Sequence, residues 1–333
     1  MPRRIFPPTL DTARPLGRNA RLLPKDENRM IKTLLRAAGL FAFAAWTTPL
    51  AAHQAAAPAA PAQTVDADPA LWVVKDADTT IYLFGTIHLL KPGLSWFDEA
   101  VKTAFDRSDE LVQEIVLPDP QAVQKALVAT AINPTGPGLE ERLPADTRKA
   151  YLAALADVGV PAASFDRFDP WFAATNLTVL KLVKAGYDPN SGAEQALTAA
   201  AKQAGKRVTG LETLEQQFGY FDSLSEKSQI AFLTDTIKQL PDAEKEVGKM
   251  VAQWSAGDPD ALAETMNEGL DATPEVAKIL LLDRNVRWAS WIADRMAKPG
   301  TVFVAVGAGH LAGKDSVQAQ LAAHRLKAER VHY

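Results

Sequence analysis

The stretch "TTIYLFGTIHLL" (Thr79–Leu90) is an apolar run that meets a glycine, Gly85, and three residues later a histidine, His88. Such a run, rich in β-branched and aromatic residues, reads as a strand. The chain has only five histidines, so one placed just past a strand end calls for a reason. A second stretch, "TVFVAVGAGHL" (Thr301–Leu311), has the same order of strand, Gly307, two residues and His310.

Working outward, "LWVVKDADTTIYLFG" gives two β-rich runs around Asp76-Ala77-Asp78, a hairpin with order beginning at Leu71. Phe97 to Arg107 has helical spacing and Glu110 to Leu117 is a β-branched run before Pro118, so this part reads β-β-α-β. Helices are expected over Gln121 to Ala131, Asp146 to Val158, Trp171 to Ala185 and from Asn190 or Ser191 to Gly205. The last leads into a short strand, "KRVTGLE". Ser225 to Trp254, Pro259 to Leu270 and Pro274 to Met296 are helical by period, and the chain closes as strand, helix, strand. The expected architecture is one α/β domain over residues 70–333, with a mainly parallel central sheet, flanking helices and a large helical insertion or cap.

Composition excludes several classes. With 47% hydrophobic and 23% charged residues the chain can bury a substantial core. Thirty-six basic against 40 acidic residues, net charge −4, leave no electrostatic footprint for nucleic acid. Cysteine is absent, which removes disulfides, thiolate metal sites and a cysteine nucleophile. At the N-terminus, Lys32 and Arg36 precede the apolar stretch Ala37–Trp46 and small residues, the order of a secretory signal. Residues 30–52 are therefore read as a signal peptide starting near Met30, and the location as periplasmic or secreted. Residues 1–29 are read as disordered or upstream of the true start, and 53–69 as an Ala/Pro-rich linker. No stable membrane span is expected after signal removal, because the apolar stretch is too short.

Open α/β sheets bind ligands beyond the carboxyl ends of their strands, where His88, Glu114, Glu212 and His310 fall. Glu114, within "LVQEIV", is expected to be partly buried, and a buried charge needs a partner or a metal. Gly85, Gly210 and Gly307 permit sharp turns or close approach to a ligand at the same places. Two imidazoles plus carboxylates suit Zn, Mn or Co with an open position for water. The same set also serves metal-free hydrolysis, with one His taking a proton from water. Plainer readings stand beside these: a salt bridge from Glu114 to an arginine such as Arg284, and a helix-start role for Glu212. "GAGHLAGKDS" fits neither a phosphate loop nor a dinucleotide fingerprint, since the glycine spacings are wrong. Nor is there a Gly-x-Ser-x-Gly elbow or a His-Glu-x-x-His helix.

The stretches "LWVVKDADTTIYLFGTIHLLKPG", "SDELVQEIVLP", "GAEQALTAAAKQAGKRVTGLETLEQQ", "LLDRNVRWASWI" and "FVAVGAGHLAGKDSV", in this order, resemble the TraB/PrgY/GumN family, related to the TIKI metalloproteases. The resemblance implies paired Gly-x-x-His motifs, Gly85 with His88 and Gly307 with His310, an acidic residue at Glu114, and further roles for Glu212, Arg284 and Asn285. TIKI proteins look like divalent-metal-dependent proteases. Similar folds occur in erythromycin-esterase-like hydrolases, which work without metal, and in a haem- or iron-binding lipoprotein group. One departure is "SGAEQAL", where many members carry Asp at the position of Glu194; the extra methylene counts against a role for Glu194.

The resulting expectation is an exported, metallopeptidase-like hydrolase acting on a peptide or small molecule. His88, Glu114 and His310 would hold a divalent ion (Mn, Co or Zn), with Gly85 and Gly307 lining the cofactor site. Glu212 would be a further ligand or the general base, and Arg284 would bind a substrate carboxylate or stabilise an oxyanion. The alternatives are a metal-independent esterase-like hydrolase and a non-catalytic protein that binds haem, metal or a peptide.

Overall fold

A computed structural model describes residues 64–267 and 277–332. The expected signal peptide, the residues before it, most of the linker and part of the helix expected from Pro274 lie outside the described residues. Among the described residues no helix is long and apolar enough to cross a membrane.

The strands are β1 (Val65–Asp66), β2 (Leu71–Lys75), β3 (Thr79–Thr86), β4 (Leu94–Ser95), β5 (Glu110–Gln113), β6 (Arg207–Gly210), β7 (Gly300–Gly307) and β8 (Glu329–Val331). The six-stranded sheet has the order β6-β5-β7-β3-β2-β8. β6, β5, β7 and β3 run parallel to one another, and β2 is antiparallel to both β3 and β8. The mainly parallel α/β sheet expected from the crossovers is therefore present. The hairpin at Asp76 is also as read: its carboxylate accepts the Thr79 N–H at 2.8 Å. Order begins before Leu71, however. β1 pairs with β4, and Ala67 is buried, so the end of the supposed linker is part of the domain.

The helices are α1 (Glu99–Arg107), α2 (Pro120–Thr130), α3 (Leu139–Arg142), α4 (Ala145–Asp157), α5 (Pro170–Lys184), α6 (Ala193–Gln203), α7 (Leu214–Asp222), α8 (Glu226–Gln239), α9 (Ala243–Ser255), α10 (Pro259–Asn267), α11 (Asp283–Met296) and α12 (Val317–Leu321). Both sheet faces are covered, as a parallel sheet requires. One face packs Phe84, Leu111 and Phe303 against α1, α6, α9 and α10, with Trp96 stacked on Phe84. The other packs Ile81, Leu83, Val302 and Val304 against Trp288, Ala289 and Ile292 of α11 and Val317 of α12. A third core, built from helices alone around Trp171, Phe218, Phe221 and Phe232, is the helical insertion expected from the sequence.

Candidate functional site

Strand register sets the site. Thr86 lies opposite Gly307, and Gln113 lies opposite both Ala305 and Gly210, so the carboxyl ends of four parallel strands form one edge. Glu114 follows β5 directly, and the Glu212 N–H donates to the Glu114 carbonyl at 2.8 Å, extending the pairing by two residues. A single 3₁₀ turn, Ala308–Leu311, carries His310 away from the end of β7. Both conspicuous glycines make contacts within the protein. A Cβ on Gly85 would stand 2.9 Å from the Ala308 Cα, so the first motif needs glycine to pack against the second. The Gly307 N–H donates to Glu114 Oε1 at 2.7 Å.

Arg284 is the centre of a buried ionic cluster. It extends from the second residue of α11, whose buried stripe of Arg284, Asn285, Trp288, Ala289 and Ile292 faces the sheet at helical spacing. Its Nε donates to both oxygens of Glu212, at 2.9 and 3.1 Å. Nη2 donates to Glu114 Oε2 at 2.6 Å and to Glu212 Oε2 at 2.8 Å. Nη1 faces the Leu280 carbonyl at 3.3 Å and His310 Nε2 at 3.0 Å. An arginine has five N–H donors, and this set occupies all of them. Arg284, expected to bind a substrate carboxylate or an oxyanion, is fully buried in this structure and contacts two carboxylates and an imidazole. The plainer reading of Glu114, a salt bridge to Arg284, is the observed contact.

Glu212 is likewise not a helix-start residue. Thr213 caps α7, in a reciprocal capping box with Gln216. Glu212 instead turns to Arg284, and it also accepts from Gln217 Nε2 at 3.1 Å and from the Tyr220 hydroxyl at 3.2 Å. Gln217 Nε2 lies 3.1 Å from Glu114 Oε2 as well. Clamped in this way, Glu212 is poorly placed to serve as a general base. Gln217 and Tyr220 escaped the sequence reading, although both follow Glu212 on a helix whose buried face points to the site.

Asn285 decides the state of His310. Its Nδ2 donates to the Asp315 carbonyl at 2.7 Å, which turns its Oδ1 toward His310 Nδ1 at 2.6 Å. An amide oxygen can only accept, so Nδ1 carries the proton and Nε2 presents a lone pair to the Arg284 N–H. Burial, then the Arg284 charge, depress the His310 imidazole to about 3, against an opposing pull from Glu114. His310 is neutral near pH 7. Burial pushes the Glu114 carboxyl up, but Arg284 chiefly, with the two histidines and the Gly307 N–H, overrides it and holds Glu114 at about 2. Burial works against the Arg284 cation too, yet Glu114 and Glu212 raise its affinity for the proton.

His88 stands apart at the lip of the site. Its Nδ1 lies 2.6 Å from Glu194 Oε1, and the two side chains are 17% and 21% exposed. The extra methylene of Glu194 therefore brings its carboxylate onto the imidazole, against the sequence reading. Backbone fit explains how. The Ala193 N–H donates to the Ile87 carbonyl at 3.0 Å, and a Cβ on Gly192 would come within 2.2 Å of the His88 carbonyl, so α6 can dock here only with glycine at its start. Gln113 Nε2 donates to the Glu194 carbonyl at 3.1 Å and holds the same turn.

These contacts do not suit the divalent ion that the resemblance implied. Among the described residues no three His, Asp or Glu side chains are placed to share one ion. Both oxygens of Glu114 and both nitrogens of His310 are engaged by Gly307, Arg284 and Asn285. The cation at the centre of the carboxylates is Arg284. His88, Glu114 and His310 are thus drawn to one strand edge as expected, but not as ligands of one metal.

The sequence model described as the TraB/PrgY/gumN family matches residues 70–330. The chain is 24% identical over 257 residues to the uncharacterized protein YbaP of Escherichia coli (strain K12), covering 76% of this chain and 92% of that protein. The YbaP of Shigella flexneri matches to the same extent. An uncharacterized protein of Treponema pallidum (strain Nichols) is 23% identical over 264 residues, covering 74% of this chain and 78% of that one. No solved structure matches.

Proposed function

Because the chain belongs to the TraB/PrgY/gumN family and sets its two Gly-x-x-His segments side by side at one sheet edge, we propose that it is a hydrolase in which His88 moves the proton. The observation that carries this reading is the 2.6 Å contact between His88 Nδ1 and Glu194 at the partly exposed lip of an otherwise saturated cluster. The other candidates are poor bases. Glu114 is held as an anion at about 2, His310 is depressed to about 3, and Glu212 is clamped by Arg284. A carboxylate beside Nδ1 favours the charged ring through its own charge, so that Nε2 takes a proton from water while the water oxygen adds to a substrate carbonyl carbon. The proton then passes to the leaving group as its bond to that carbon breaks. The substrate class is an ester or amide of a peptide or small molecule.

The test is turnover of an ester and peptide panel by the full chain, with elemental analysis of the same preparation. Hydrolysis that survives thorough chelation and is lost in His88→Ala supports the reading. Turnover that follows a stoichiometric ion would instead restore the metallopeptidase, and a stoichiometric ligand without turnover would favour a binding protein. The N-terminal sequence supports export to the periplasm or medium, which fractionation and N-terminal sequencing of the mature chain test.

A further inference from the structure

We infer that a small cavity beneath the first Gly-x-x-His segment is a substrate subsite for a short, branched apolar group that carries one hydrogen-bonding atom, seated against Thr86. This rests on the hydrolase reading above and narrows its substrate class. The cavity, of about 30 Å³, lies between the end of β3 and helices α9 and α10 and is walled by Ile87, Val247, Met250, Leu262 and Met266. Among the described residues that line it, Thr86 is the one with a polar side chain. It is 1% exposed, and among the described residues its Oγ1 has no hydrogen-bond partner.

A buried hydroxyl left unpaired is a standing penalty, and most such groups in folded proteins are paired. Water is a poor occupant. It needs roughly 10–15 Å³, which is present, but also two to four polar partners, and the apolar walls leave it little beyond Thr86. An apolar group with a single polar atom meets both conditions. Its reach to the reacting centre is short, because Thr86, Ile87 and His88 are consecutive residues. A group seated in the cavity would therefore anchor the substrate along the segment that ends in the proposed base.

Methyl NMR on the full chain tests this without relying on turnover. The sequence has five methionines, of which Met250 and Met266 line the cavity while Met296 packs on the opposite sheet face. Isobutanol is expected to give saturable shifts at the ε-methyls of Met250 and Met266 and none at Met296. Thr86→Val should weaken that binding roughly 2- to 10-fold, the worth of one hydrogen bond. It should also raise Tm by about 2–4 °C, because the unpaired hydroxyl is gone. Absence of saturable shifts, unchanged affinity in Thr86→Val, or a fall in Tm would each overturn the subsite. Isobutanol binding without hydrolysis of any ester would leave the subsite standing and remove the hydrolase. Hydrolysis of isobutyryl and acetyl esters at equal kcat/KM, with no methyl shifts, would do the reverse.

Discussion

Asn285 Oδ1 lies 2.6 Å from His310 Nδ1 while Asn285 Nδ2 donates to the Asp315 carbonyl, so one amide fixes the proton of a buried imidazole. Leucine at position 285 would leave the Nδ1–H buried without an acceptor. Asn285→Leu is expected to destabilise the protein by about 1–3 kcal/mol. Long-range ¹H–¹⁵N spectra of the histidine rings should show the Nδ1–H tautomer for His310 in the unsubstituted chain and a mixed signal in the variant. An Nε2–H tautomer in the unsubstituted chain would contradict the assignment.

Arg284 neutralises two carboxylates that are themselves buried. Removing it strands both charges, and Arg284→Met should cost about 3–5 kcal/mol at pH 7, read from urea unfolding. Adding Glu114→Gln and Glu212→Gln to that variant removes the stranded charges and should return a large part of the loss. A triple variant no more stable than the single one would mean that packing, not charge, sets the cost.

The cluster also predicts an acid sensitivity of definite sign. Glu114 titrates near 2 in the folded protein, below the ordinary carboxylate range, and His310 near 3, below the ordinary imidazole value. For both groups the unfolded chain binds the proton more tightly, so stability rises with pH. Their contribution is complete above about pH 6.5, declines first through His310 and then through both, and is gone near pH 2. The total is on the order of a few kcal/mol. Unfolding free energies measured from pH 7 to pH 3 should fall accordingly, and Glu114→Gln should flatten the most acidic part of the curve. A flat profile in the unsubstituted chain would refute the buried ionised arrangement.

His88 and Glu194 are partly exposed, which separates their role from that of the buried cluster. Glu194→Gln keeps the shape but loses the charge that stabilises the imidazolium. It is expected to lower kcat/KM about 10- to 100-fold and to move the acid limb of its pH profile to lower pH, with unfolding changed by less than about 1 kcal/mol. His88→Ala should remove about 10²- to 10⁴-fold of rate. Loss of stability without any shift of the pH profile would reassign the pair to a structural role.

Much of this was legible because it is local. The apolar runs ending in Gly85 and Gly307, the β-branched run before Pro118 and the helix leading into Arg207 specify strands and crossovers, and crossovers specify a parallel sheet. The rule that ligands gather at carboxyl strand ends then selected His88, Glu114, Glu212 and His310. Gln217 and Tyr220 were missed because polar residues on an amphipathic helix carry no mark of which neighbour they will meet. The π-type turn at Lys278–Leu282, which leads into Arg284, was also unmarked in an evenly helical pattern.

What the sequence determined, then, was the kind of residue available at each strand end, since side-chain period and turn chemistry act over a few positions. Which residue neutralises which was decided only in three dimensions. Arg284 is 170 positions from Glu114 and 72 from Glu212, and its guanidinium reaches both because α11 packs across the strand edge. With that cation in place the carboxylates are satisfied within the protein. His88 lies outside that cluster, with its Nδ1 2.6 Å from Glu194 Oε1, a partner 106 positions away that only the docking of α6 brings to it.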